Sequence, residues 1–127
     1  MASEKEADNA PLLRGKWYNE LGSMMFIERV HSDGVFHGWY ETAVGRQTGV
    51  KFPLVGKIST SQTNPTFGFT VVWKESTTTW VGQFFDRNGE QTLLTTWILR
   101  NDNTYEDDWE STLIGKDQFK RTESPKK

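Results

Sequence analysis

Six polar residues stand where alternation calls for apolar ones: Asn19, Ser23, Tyr40, Thr42, Thr78 and Asp117. Each falls in the apolar phase of a period-two stretch, the phase that faces inward in a half-buried β-strand. Asp117 is the sharpest case. Its companions in phase are Trp109, Ser111, Leu113, Gly115 and Phe119, and none is a cation. A buried carboxylate is costly unless paired or hydrogen-bonded, so a neighbouring side chain, water or a ligand N–H must supply a donor. Asn19, Ser23 and Tyr40 lie on three consecutive stretches, and each can donate a hydrogen bond. Three donors suit a carbonyl oxygen carrying partial negative charge. Thr42 and Asp117 accept, and suit two N–H groups flanking that carbonyl. The set matches a urea, and Trp73, Trp80 and Trp97 offer flat apolar walls for the rest of such a molecule. Inward polar residues are often satisfied by one another and by trapped water. That explains any one of the six more readily than all six beside three inward tryptophans.

The elements that must position these residues are short strands. Thr66–Glu90 organises the chain. Its first run puts Phe67, Phe69, Val71 and Trp73 on one face; its second puts Thr78, Trp80, Gly82 and Phe84 in one phase. Lys74–Thr77 joins the runs into a hairpin, and Asp86-Arg87-Asn88-Gly89 is a tight-turn signal. In order, the pattern predicts strands over Gly15–Asn19, Ser23–His31, Val35–Thr42 and Phe52–Ser61, then the hairpin, then Gln91–Arg100 and Trp109–Arg121. Ala43–Lys51 breaks the alternation and reads as a mobile loop. Asn101–Asp108 reads as an acidic loop. Eight short strands with turn chemistry between them and no helical period predict an all-β fold, an eight-stranded antiparallel up-and-down β-barrel. Closure also removes exposed edges. Residues 1–11 and 123–127 are expected to be disordered, with one barrel domain over 12–122.

Composition narrows the function. One domain is the natural reading of 127 residues, and aromatics at 13% with six Trp supply a core from large side chains. Net charge is −2, so the totals imply no basic surface for nucleic acid. There is no Cys, hence no disulfide, zinc-thiolate site or thiol nucleophile. No run of about 18 apolar residues is present to form a membrane-spanning helix. His31 and His37 fall at strand ends and are expected on the surface without chemistry. Asp102, Asp107 and Asp108 lack the spacing and glycine of a calcium loop, and no metal site is expected there.

Longer motifs carry more. GKWYNELGS at 15–23, GWYETAVG at 38–45, PTFGFTVVWK at 65–74, STTTWVGQFFDRNG at 76–89, TTWILR at 95–100 and DDWESTLIG at 107–115 together resemble the avidin–streptavidin family, over Leu13 to Thr122. That family is itself a standing example of an eight-stranded barrel holding one small ligand. The resemblance implies a secreted homotetramer that binds biotin tightly in the barrel mouth, one site per subunit, without enzymatic activity or a cofactor. The first residues, MASEKEADNAP, have no apolar core of a signal peptide, so a secreted protein would have lost its leader ahead of them. By motif, Asn19, Ser23 and Tyr40 would donate to the ureido oxygen, and Thr42 and Asp117 would accept the ureido N–H groups. Thr78 would touch the ring sulfur and Ser76 the valerate carboxylate. Trp73, Trp80 and Trp97 would enclose the bicycle and tail, with Leu99 nearby. Trp109 would cap the site of a neighbouring subunit.

Three departures from the family pattern stand out. Arg46 replaces a small or amide residue in the loop after Val44; it would either pair with the biotin carboxylate or disturb the loop, and pairing is the favoured reading. The connection WKESTTTW is short and lacks the Phe-Ser insertion of avidin. Thr96, Ile114 and Lys116 occupy the smaller subunit interface, where two lysines would face each other near a two-fold axis. Two other readings stay open. A lipocalin-like carrier of another apolar ligand would have no converging donor set. An enzyme using Asp117 as general base would need a second acid–base partner, and the inward phase offers only Tyr40.

Overall fold

The computed structural model describes residues 10–44, 48–61 and 63–123. Eight antiparallel strands close into a barrel, each paired with the next: β1 (Gly15–Tyr18), β2 (Met24–Val30), β3 (Val35–Glu41), β4 (Lys51–Ile58), β5 (Thr66–Val72), β6 (Ser76–Arg87), β7 (Glu90–Asn101) and β8 (Thr112–Lys120). This is the up-and-down architecture that the strand spacing predicts. Period-two burial runs through β5 to β7, where Phe67, Phe69, Val71, Thr78, Trp80, Phe84, Leu93 and Thr95 all turn inward and are buried. Register then lines up side chains across strands. Phe69 faces Trp80, Trp80 faces Trp97, and Trp97 faces Gly115. The β6–β7 hairpin closes with Arg87 opposite Glu90. Both loop residues take positive φ, 57° at Asn88 and 89° at Gly89, the backbone that a two-residue hairpin with native twist requires. Asp86 Oδ1 accepts the Gly89 N–H at 2.9 Å and fixes the turn.

Three features depart from the sequence expectations. β2 does not alternate throughout: the register shifts between Ile27 and Arg29, so Val30 is buried although it is out of phase with Met25 and Ile27. That is a β-bulge, which re-aims the end of the strand. The last strand begins at Thr112, not Trp109. Asp108–Glu110 forms a single turn of 3-10 helix, held by an Arg100–Asp108 ion pair at 2.6 Å and by Ser111 Oγ donating to the Asp108 carbonyl at 2.7 Å. Trp109 is therefore outside β8 and 80% exposed. Finally, a four-residue helix, α1 (Ala10–Leu13), precedes β1 where disorder was expected up to residue 11. The remainder of the expected disordered ends, 1–9 and 124–127, lies outside the described residues.

The β1–β8 seam has one registered pair, Tyr18 with Lys120, so side chains reinforce it. Arg121, just past β8, lies 3.7 Å over the buried Trp17 ring. It donates to the carbonyls of Leu12 and Arg14 at 2.9 and 2.8 Å and to Gln91 Oε1 at 2.9 Å. Burial pulls its pKa down to about 10, which leaves it charged at neutral pH. Trp17 Nε1 in turn donates to the Leu13 carbonyl at 2.9 Å. This cluster plugs the end of the barrel where the chain enters and leaves, so any cavity must open at the other end.

Candidate functional site

At that other end the β1–β2, β3–β4 and β5–β6 connections surround a cavity of about 350 Å³, within the size range of small-ligand sites. Asn19, Ser23, Tyr40, Thr42, Trp73, Ser76, Thr78, Trp80, Trp97, Leu99 and Asp117 all line it. Arg46 lies outside the described residues. Trp109 does not line the cavity of its own chain, and its exposed indole faces solvent. Leu21 and Val44 line the mouth as well. Sequence reasoning passed over both because they sit in connections, where no period marks an inward face.

The polar end holds its groups by hydrogen bonds within the protein and turns Asn19, Ser23, Tyr40, Thr42 and Asp117 to the lumen. Asn19 Oδ1 accepts the backbone N–H groups of Leu21 at 3.0 Å and Ser23 at 2.9 Å, closing the β1–β2 turn. Its amide nitrogen is thereby turned toward the cavity, where it donates to Tyr40 Oη at 3.4 Å. Tyr40 thus accepts one bond and retains its O–H proton. Burial, with the nearby Asp117 charge adding to it, pushes the Tyr40 pKa well above its ordinary value, so the phenol stays a neutral donor. Ser23 Oγ accepts the Ala43 N–H at 2.9 Å and lies 3.5 Å from Thr42 Oγ1, so its proton can turn to that oxygen or into the lumen. Thr42 Oγ1 donates to the Val44 carbonyl at 3.1 Å and accepts the Val44 N–H at 3.2 Å, so a lone pair faces the lumen when Ser23 turns its proton elsewhere.

Asp117 receives the donor that its own strand lacks. Trp80 Nε1 donates to Asp117 Oδ2 at 2.9 Å, across the lumen from β6. Trp80 is therefore a polar partner as well as a wall. Burial, opposed by the Trp80 hydrogen bond and reinforced by Glu20, pushes the Asp117 carboxyl up to about 6. It is still mainly ionised at neutral pH, an acceptor with one oxygen uncommitted to Trp80. Trp73 Nε1 donates to Thr78 Oγ1 at 2.7 Å, leaving the threonine proton free to turn. Among the described residues no buried side-chain nitrogen or oxygen lacks a partner. The interior is thus set in advance, which spares a ligand the cost of ordering it.

The apolar walls are equally fixed. Trp80 stacks on Tyr40 at 4.9 Å and on Phe69 at 4.8 Å between ring centroids. Phe52 meets Trp73 edge-on at 5.0 Å. Phe52 and Phe69 hold the walls from behind, and their inward phase is the signal that marks them. Trp97 lies over Gly115. A methyl at Gly115 would strike Trp97 Cζ2 and come 2.6 Å from Cε2. Gly115→Ala is therefore expected to push the indole into the cavity and weaken ligand binding about tenfold, read by titration; unchanged affinity would show that Trp97 has room to move.

His31 and His37 pack edge-to-face at 5.1 Å at the end of β2 and in β3, away from this cavity. In the acidic loop Asp108 is taken up by Arg100. Among the described residues no three His, Asp or Glu side chains are placed to hold a metal ion.

A closed antiparallel barrel, plugged at one end and presenting a pre-arranged set of donors, acceptors and indoles at the other, defines a small-molecule-binding β-barrel protein. Comparison with known proteins is specific. The Avidin family model matches residues 7–122, and the chain belongs to that family. It is 48% identical to avidin of Gallus gallus over 122 residues, covering 90% of this chain and 80% of that protein. Among solved structures it is similar to a biotin binding protein from chicken, with a TM-score of 0.81 and 40% identity, covering 91% of this chain and 99% of that one. Xenavidin is similar to the same degree, at TM-score 0.81 and 38% identity, over 93% of this chain and 100% of that one.

Proposed function

We propose that this chain is a secreted, non-catalytic protein that binds biotin tightly, one molecule per barrel, as a homotetramer. The observation that carries the reading is the direction of hydrogen bonding at the polar end. Asn19, Ser23 and Tyr40 can turn protons to a carbonyl oxygen, and Thr42 and Asp117 can offer acceptor positions to two N–H groups once a ligand takes the place of the long Ser23–Thr42 contact. A cyclic urea has that pattern. In this reading Thr78 meets the ring sulfur, Ser76 and Arg46 meet the carboxylate, and Trp73, Trp80, Trp97 and Leu99 enclose the ring and tail. The relatives described as avidin and as a biotin binding protein support the choice of ligand. A general-base role for Asp117 is disfavoured, because no His, Lys or Arg lines the cavity beside it among the described residues.

Assembly is supported by the outer face of the barrel. Val81, Ile98 and Ile114 are 62%, 51% and 73% exposed, and Ile98 lies directly opposite Ile114 on β7 and β8. Such a ladder of exposed aliphatics marks an interface. The 80% exposed Trp109 fits a side chain that completes a neighbour's site. Lys116 is paired in register with Thr96 on the same face. Near a two-fold axis its charge would meet its own copy, and Lys116→Ile is expected to raise the tetramer's unfolding midpoint by about 2–4 °C at low salt. A lower midpoint at equal protein concentration would contradict that.

Calorimetric titration with biotin, and with desthiobiotin for comparison, tests the reading. It predicts one site per chain for both, with biotin the tighter. A flat biotin titration would overturn it.

A further inference from the structure

Glu20 stands beside the ligand acceptor but outside the cavity. Its Oε1 accepts the N–H of Gln118 at 2.9 Å, the amide that directly follows Asp117. Glu20, Lys116 and Asp117 line a cleft of about 400 Å³ on the outer surface, and Asp117 also lines the inner cavity. One carboxyl group therefore forms part of the wall between two spaces, with a second acid on the outer side. The backbone there is held still: Thr95 Oγ1 donates to the Asp117 carbonyl at 2.8 Å, and Glu20 follows Asn19, whose side chain closes the β1–β2 turn.

We propose that Glu20 is a positioning residue for the ligand acceptor: hydrogen-bonded to the amide after Asp117 and facing that acid from the outer cleft, its carboxylate sets the pH below which the cavity loses its anionic acceptor. The proposal rests on the biotin reading above. A carboxyl group with a second acid beside it is harder to ionise. Burial already raises Asp117, and the neighbouring Glu20 pushes the same way. Among the other groups around Asp117 one is a cation and acts the opposite way, equally in the parent and in each variant. Lys116 shares the outer cleft, Tyr40 is a neutral phenol across the lumen, and Asn19, Ser23, Thr42, Trp80, Thr95 and Trp97 carry no charge.

A ligand N–H favours ionised Asp117, so binding expels a proton wherever the free protein holds one. Affinity should be level well above pH 6 and fall about tenfold per unit below it. Glu20→Gln keeps an amide oxygen for the Gln118 N–H and deletes only the charge. Its onset of weakening should therefore lie at lower pH than in the parent, whatever happens to affinity at neutral pH.

The experiment measures the desthiobiotin dissociation constant from about pH 4.5 to 8.5 for the parent, Glu20→Gln and Asp117→Asn. The ligand-free Trp80 indole N–H resonance, which reports Asp117 ionisation through its hydrogen bond, is followed over the same range. The expected result is a bend near pH 6 in the parent, a bend at least half a unit lower in Glu20→Gln, and no bend in Asp117→Asn. Coincident bends in the parent and Glu20→Gln, or a parent-like bend in Asp117→Asn, would overturn the proposal. If Glu20→Gln does not fold, Glu20→Asp keeps the charge but withdraws it by one methylene; its bend should fall below the parent's, and coincidence would again overturn it. Absence of desthiobiotin binding at pH 8 would instead sink the biotin reading, and the Trp80 titration would still decide whether Glu20 governs Asp117.

Discussion

Asp117→Ala is expected to weaken biotin binding by about 3–4 kcal/mol, a loss of roughly 10²- to 10³-fold. Two costs combine. A ligand N–H loses an ionised acceptor, and hydrogen bonds to charged groups are about twice as strong as neutral ones. Trp80 Nε1 loses the oxygen that it now meets at 2.9 Å, so a buried donor is left unpaired in the wall of the site. The fold itself should survive. Asp117 holds its strand through its backbone carbonyl, which Thr95 Oγ1 reaches at 2.8 Å, and that contact does not need the side chain. Calorimetry, or the dissociation rate where binding is too tight for heat, measures the effect. Affinity within about threefold of the parent would remove Asp117 from its assigned role.

Trp109→Lys is expected to do two things at once. The indole sits on a one-turn 3-10 helix, anchored by Asp108 to Arg100 and by Ser111 to the Asp108 carbonyl, so it is exposed yet held in place. A fixed tryptophan that is 80% exposed has the character of an interface anchor. In the tetramer it would bury itself over a neighbour's ligand. A lysine there should speed biotin release by about 10- to 100-fold and shift the assembly toward smaller species at micromolar concentration. Release rates and light scattering identical to the parent would show that the indole serves neither purpose.

Much of this is legible in the sequence alone, because a strand with one buried face writes its orientation there at period two. Asn19, Tyr40 and Asp117 announced themselves as polar residues in an apolar phase, and all three line one cavity. Partners across the lumen were not legible. The missing donor for Asp117 comes from Trp80, 37 residues away on a strand that does not pair with β8. Phase shows which way each side chain points, but only barrel closure decides what it meets.

The misread boundaries have local causes. Trp109 and Ser111 continue the β8 alternation into a turn, so period alone extends the strand too far. The β2 bulge changes the phase between Ile27 and Val30 within a run that looks uninterrupted. Four residues, as in α1, are too few to show a helical period. Glu20 reads as an ordinary outward acid in a turn. Its place against the Gln118 amide depends on how β1 and β8 meet, and a single registered pair defines that seam.

The most direct test of the central claim is a crystal structure of the chain with biotin bound. The ureido oxygen is expected within about 3 Å of Asn19 Nδ2, Ser23 Oγ and Tyr40 Oη, with one ureido N–H on Asp117 and the other on Thr42. Biotin seated the other way round, or held outside the barrel with those five side chains keeping only their partners within the protein, would contradict the account.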